Sequence, residues 1–366
     1  MNNQLLKVAL YIGKGASHSW IWFVDTLRKA GITRIQFITD VDAVQADLLV
    51  ISGGDPFALF SHITSTGVHR IIDFIKEGGT YVGICAGTYF ALKFHETPYP
   101  WLNLIDSTIA NFSLHPPPNI RMPHKYTVPY REGFVFHPVR DEVICTYKGA
   151  PLSAPLYGGP GIISADAQPL AEYTSFAPKT SFLCDRSHAA SVFLGTTAVL
   201  SKKWNRGRLL LFGPHFEHPY FPQANKELIS LLSTITPRGY THTLPGHYLS
   251  GTEKNRWLKD LKRWISNGRL AAFGLGNYHW KIGEKIYDPE RLAYFFETSF
   301  QLIKSLEQVP TLQGIYDLPE RAQSAARLTR TLGPNAQKAE MLLETLKTIT
   351  ADIYSLYFSA VQDKKK

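Results

Sequence analysis

At 366 residues, 44% of them hydrophobic and 19% charged, the chain can bury a full core and is not a disordered polymer. Its net charge of +9 is spread along the sequence apart from the Lys364–Lys366 run, which argues against a nucleic-acid-binding surface. Three cysteines, Cys85, Cys145 and Cys184, are too few and too odd in number for a disulfide framework, and no leader-like start or apolar run of ~20 residues is present; a cytoplasmic protein without a membrane span is expected.

In chain order, the first hundred residues alternate between short apolar runs and amphipathic stretches. Val8–Ile12 ends in Gly13-Lys14-Gly15, a strand-to-helix turn that lacks the spacing of a phosphate-binding loop. A helix pattern follows from about Ser17 to Lys29. Arg34–Ile38 and Asp47–Ile51 are the next strand candidates, the second ending in Ser52-Gly53-Gly54-Asp55. A helix over about Val68–Glu77 leads to the strand Thr80–Ile84 and a helix starting near Ala86. Short apolar strands separated by helices predict parallel pairing with both sheet faces covered. From Trp101 to about Ala150 the pattern is that of a β-rich insertion with loops. Strands are predicted again at residues 189–194 and at Arg208–Phe212, and a helix over about Ala224–Thr234 closes a first domain, 1–237.

Residues 238–252, rich in Pro, Gly, Thr and His, are expected to be a linker, and 253–366 a smaller all-α domain. Trp257, Leu258, Leu261, Trp264 and Ile265 fall on one helical face, and comparable patterns cover residues near 292–303, 319–332 and 335–358. Their aromatic residues are core candidates, with a docking face for a partner protein as the alternative.

Gly83-Ile84-Cys85-Ala86-Gly87, placed directly between a strand and a helix, has the form of a nucleophile elbow. The flanking glycines relieve crowding, and the first helical amides favour a thiolate and place the Ala86 amide to donate to an oxyanion. A small buried cysteine in a tight turn is the competing reading. In Gly213-Pro214-His215-Phe216-Glu217, residues two apart in an extended segment share a face. His215 can thus accept the thiol proton while Glu217 fixes its tautomer. A metal site of His215, Glu217 and His218 is the alternative there. The glycines of the 52–55 turn allow close approach of backbone to a substrate, with the Gly54 amide as second oxyanion donor and Gly53 and Asp55 as substrate contacts. His18, His62, His69, His95, His115, His124, His137 and His188 show no ligand spacing, so no metal and no cofactor is expected.

Three stretches together resemble the class I glutamine amidotransferase-like superfamily, and within it the family of the biotin–protein ligase N-terminal domain. They are Gly83–Phe90, Leu156-Tyr157-Gly158-Gly159-Pro160 with Leu170–Tyr173, and Gly207–Glu217. The resemblance spans about residues 5–235. It implies a flavodoxin-like three-layer α/β sandwich with a mostly parallel sheet, and a triad of Cys85, His215 and Glu217. Glutaminase domains carry Gln four residues after the nucleophile, where this chain has Tyr89, so the resemblance does not carry glutamine over as substrate. Nothing after residue 237 resembles a ligase catalytic domain, and biotin ligation is not expected. The expectation is a cysteine-dependent hydrolase or amidotransferase-like enzyme acting on a small-molecule or peptide amide, with Tyr89 and Gly159 lining its pocket. The alternative is a non-catalytic metabolite-binding module.

Overall fold

Apolar runs without polar alternation are the pattern of strands covered on both faces. In the computed structural model, which describes residues 5–42, 44–93, 102–130, 132–239 and 247–363, they form β1 (Lys7–Tyr11), β3 (Leu48–Ile51) and β4 (Thr80–Ile84), every residue of which is buried. β2 (Arg34–Ile38) lies between the first two in the chain. Helices α1 (Ser19–Lys29), α2 (Pro56–His62), α3 (Ser65–Lys76) and α4 (Ala86–Ala91) alternate with these strands.

The insertion is β-rich, with β5 (Ser107–Ile109), β6 (Phe112–Ser113), the short α5 (Pro123–Tyr126), β7 (Thr127–Tyr130), β8 (Gly133–Phe136), β9 (Val139–Tyr147), β10 (Ala150–Leu156), β11 (Ile162–Ser164), β12 (Gln168–Phe176) and β13 (Ser181–Phe182). Residues 186–193 then form helix α6 (Arg186–Phe193), where a strand was expected at 189–194. Asp185 takes the N-cap position, and Ala189 and Phe193, four apart, make the buried face; six residues are too few to separate a helical from a strand period. β14 (Thr197–Trp204), β15 (Gly207–Phe212) and α7 (Pro222–Leu232) complete this part.

The sheet of this region is mixed. Strands β15, β4, β3 and β1 pair side by side and parallel, as expected. From β15 outward, β14, β12, β9 and β10 continue it antiparallel, a wing that the local apolar pattern did not reveal. The register of the parallel strands aligns their ends. Phe212 pairs with Ile84 and Ile51 with Gly83, so the residues just beyond β3, β4 and β15 emerge together at one edge, the edge where open α/β sheets bind ligands.

The chain divides into two compact units, Met1–Ile32 with Ile38–Tyr240, and Thr33–Phe37 with Thr241–Lys366. The second is built on α8 (Gly251–Phe273), α9 (Pro289–Leu306), α10 (Leu318–Arg330) and α11 (Ala336–Asp363). It is not all-α: β16 (His247–Ser250) pairs with β19 (Thr311–Gly314), and β17 (Trp280–Ile282) with β18 (Lys285–Tyr287). Strands of three or four residues are too short to show alternation. β16 and the start of α8 also occupy residues 247–252, where a linker was expected. The expected apolar face of α8 is buried through Leu258, Leu261 and Ile265, and Gly268 gives room to the Phe296 ring of α9. Residues 240–246 of the linker, His95 and the Lys364–Lys366 run lie outside the described residues. Among the described residues no helix is long and apolar enough to cross a membrane.

Candidate active site

Cys85 sits between β4 and α4 with φ 52°, left-handed backbone that a non-glycine residue adopts only under constraint. Three contacts impose it. The Cys85 amide donates to the Phe212 carbonyl at 2.8 Å, and Thr88 Oγ1 donates to the Phe212 carbonyl at 2.7 Å. Tyr81 OH, from within β4, donates to the Gly87 carbonyl at 2.7 Å. The glycines are required by space: a Cβ on Gly87 would lie 1.9 Å from the Ile51 carbonyl oxygen, and one on Gly83 2.5 Å from that of Gly87.

The same register carries the chain beyond β15 to His215, whose amide is tied to the Pro155 carbonyl at 2.8 Å. Its Nδ1 is 2.7 Å from Glu217 Oε1, with both side chains buried, and the Cys85 sulfur is near enough to the ring to raise its pKa. Burial alone would pull the His215 pKa down. The Glu217 carboxylate and the Cys85 sulfur outweigh it and raise the value to about 10. Glu217 is fully buried, its Oε2 has no hydrogen-bond partner, and its backbone carbonyl accepts from Thr26 Oγ1 at 3.0 Å. A carboxylate with so little other solvation is directed at the imidazole. The other cysteines differ: burial pushes the Cys145 thiol up to about 12, and burial followed by the Asp185 charge pushes Cys184 up to about 11.

The Gly53-Gly54 turn packs against this dyad. A Cβ on Gly53 would lie 2.7 Å from His215 Cε1, and one on Gly54 2.0 Å from the Gly15 carbonyl oxygen. The Gly13–Gly15 turn holds it, because Ser17 N donates to the Gly53 carbonyl at 2.9 Å and Asp55 N to that of Gly15 at 2.8 Å. Among the described residues no acceptor is bonded to the buried Gly54 or Ala86 amides. Asp55 caps α2: its Oδ1 accepts from Phe57 N at 2.9 Å and Ala58 N at 3.3 Å.

Tyr89 is buried, and its hydroxyl donates to the Gly158 carbonyl at 3.2 Å and accepts from Asn111 Nδ2 at 3.0 Å. Burial pushes its pKa up, so it stays a neutral hydroxyl. Gly159 lies against Gly213, where a Cβ would come within 1.9 Å of the carbonyl oxygen. Both residues thus fix the 157–161 loop beside the His215 segment.

Sequence reasoning missed the aromatic wall around His215. The Trp22 ring meets it edge-on at 5.5 Å and the Tyr157 ring at 5.7 Å, while His218 packs on Trp22 at 4.4 Å. Burial, then the neighbouring His215 charge, lowers the His218 pKa to about 4, so it is neutral near pH 7. Also missed were Ser19 and Ser52, buried and joined Oγ to Oγ at 3.0 Å beneath the Gly53 turn. Trp22 could be read only as one apolar residue of an amphipathic helix, and the serines carry no motif. Tyr157 and His218 also border an open cleft of about 650 Å³, which Cys85, His215 and Glu217 themselves do not line. Among the described residues no group of three or more His, Cys, Asp or Glu side chains could hold a metal ion. Glu217 is committed to His215 instead.

Comparison with known proteins gives a partial family match. The family model described as the N-terminal part of biotin–protein ligase matches residues 24–97, a stretch that holds Cys85 but neither His215 nor Glu217. The chain is similar to an uncharacterized protein of Chlamydia muridarum, 26% identical over 197 residues, covering 49% of this chain and 64% of that protein. It is also similar to the biotin–protein ligase of Schizosaccharomyces pombe, 46% identical over 43 residues, 12% of this chain and 7% of the ligase. The chain thus covers less than two thirds of either relative. Among solved structures it is similar to PurLQS from Thermotoga maritima, 12% identical with a TM-score of 0.39 over 62% of this chain and 99% of that one. The GH42 β-galactosidase Gan42B from G. stearothermophilus is 14% identical with a TM-score of 0.38, over 67% of this chain and 32% of its own. Similarity at that level says nothing of function.

Proposed function

We propose that the first unit is a cysteine-dependent enzyme of the glutamine amidotransferase-like kind, with a flavodoxin-like sandwich, that cleaves or transfers across a carbon–nitrogen bond. The observation that carries this reading is the arrangement itself: a strained, turn-borne Cys85 close enough to a buried imidazole to raise its pKa, and a buried carboxylate 2.7 Å from Nδ1 of that imidazole. His215 takes the thiol proton, and the imidazolium–thiolate pair is stabilised by Glu217. The thiolate attacks an amide carbonyl, and the amides of Gly54 and Ala86 receive the oxyanion. His215 then protonates the departing amine, leaving a thioester that water or an acceptor amine resolves with His215 as base. The turn of α4 contributes through its first amides more than through a dipole, since the helix is only six residues long. Ligation of biotin is a property of the matched ligase, and the 43 shared residues do not bring it here. The substrate is a small molecule or peptide amide, and the helices of the second unit are a candidate platform for a partner protein.

Mass-spectrometric mapping after brief exposure to iodoacetamide near pH 7 tests this reading. Cys85 is expected to be alkylated well ahead of Cys145 and Cys184, and His215→Ala to abolish that lead. Equal, slow reaction of all three thiols would leave the pocket as a non-catalytic binding site.

A further inference from the structure

Arg140 stands outside the proposed relay but only one ring away from it. Its guanidinium carbon lies 5.3 Å from the centroid of the Tyr157 ring and 5.4 Å from that of Tyr126. The Tyr157 ring in turn meets His215. Two aromatic rings within cation–π distance restrain the guanidinium and leave its N–H groups available for a planar partner. Among the described residues no carboxylate pairs with Arg140. The acid next to it, Asp141, accepts from Ser181 Oγ at 2.5 Å. A half-buried guanidinium held this way, with its charge unmatched, is a preformed receptor for a planar anion.

Its position relative to the relay is fixed as well. Tyr157 opens the loop whose next residue, Gly158, accepts from Tyr89, a side chain of α4, and whose Gly159 rests on Gly213. The ring that carries Arg140 is therefore anchored from both the Cys85 side and the His215 side.

We propose that Arg140 reads a carboxylate on the substrate, so that the enzyme acts on amides bearing an acidic group near the scissile bond. This rests on the reading of Cys85 as nucleophile. Arg140 would be a specificity-determining residue, pairing with the substrate and leaving the chemistry to the relay.

Alkylation of Cys85 by matched acid and amide probes tests it. Iodoacetate, N-iodoacetylglycine and N-iodoacetyl-β-alanine, each beside its uncharged carboxamide, place a carboxylate at increasing distance from the carbon that the sulfur attacks with loss of iodide. At one of these lengths the acid-to-amide rate ratio at Cys85 is expected to exceed that of the urea-unfolded chain by about tenfold. Arg140→Gln should remove the excess while leaving the carboxamide rates within about twofold, and Arg140→Lys should retain part of it. Ratios equal to those of the unfolded chain at every length, or an excess that survives Arg140→Gln, would overturn the assignment. If Arg140→Gln fails to fold, which its carboxamide rates would reveal, Arg140→Lys takes its place: a reduced excess supports the assignment and an undiminished one overturns it. If no probe favours Cys85 over Cys145 and Cys184, the nucleophile reading fails first and this inference with it.

Discussion

In the parallel half of the first unit, Cys85 and His215 meet because two neighbouring strands end in register, and backbone contacts of glycines and amides hold them there. Around the antiparallel wing, the parts that reach the same place are side chains: Tyr157 against His215, and Arg140 within cation–π distance of both Tyr157 and Tyr126. The first arrangement tolerates almost no change of shape, since one added methyl group would strike a carbonyl oxygen. The second can be rebuilt residue by residue. If the proposed function holds, a reactive centre set by backbone and a recognition surface set by side chains can vary separately, which is how one fold serves different substrates.

The largest expected effect lies in the rigid half. Gly87→Ala forces a Cβ to within 1.9 Å of the Ile51 carbonyl and should cost about 3 kcal/mol in urea unfolding. Gly195→Ala, at a turn with open space and φ 83°, should cost only about 1 kcal/mol. Similar losses at both positions would erase the contrast between a close-packed elbow and an ordinary turn.

The seam between the halves is tested by pH. The folded-state pKa of His218 is depressed to about 4 by burial and then by His215. The unfolded chain therefore takes up a proton there between about pH 6.5 and 4 while the folded chain does not, and stability falls as the pH is lowered through that window. His215 has the opposite sign. Its value is raised to about 10, so its pairing stabilises fully below about pH 6.5 and is lost as the pH rises through 10. Urea unfolding from pH 4 to 10 should show His218→Gln flattening the acid limb and His215→Gln the alkaline limb. An acid limb unchanged in His218→Gln would mean that the seam is wet.

A smaller effect separates capping from recognition. Asp55→Ala should cost about 1 kcal/mol through loss of the α2 cap, and Asp55→Asn much less, because Asn caps as well. Both should keep the Cys85 alkylation rate within about twofold. A tenfold drop in Asp55→Asn would give Asp55 a role at the site beyond the cap.

What could be read in the sequence follows the same division. Cys85 with its glycines, and His215 with Glu217, are local patterns, because strand, turn and two-residue spacing are properties of contiguous chain. Tyr157 and Arg140 could not be found this way. They are brought to His215 by the pairing of β9 and β10, which no local period encodes. The strands of the second unit were missed for a related reason. They are too short for a period, and each forms only against its partner, distant in the chain for β16 and β19 and across a tight hairpin for β17 and β18. α6 was misread because Val192, Phe193 and Leu194 are adjacent and suit either period.

The rate of Cys85 alkylation by iodoacetamide as a function of pH, in the wild-type chain and in His215→Ala, tests the relay most directly. A thiolate held by the imidazolium should make the wild-type rate nearly flat from about pH 7 to 9. The variant should be about thirty-fold slower at pH 7, where a thiol of ordinary pKa is about 3% ionised, and should climb with pH. Two superimposable curves, both climbing, would show that His215 does not activate Cys85.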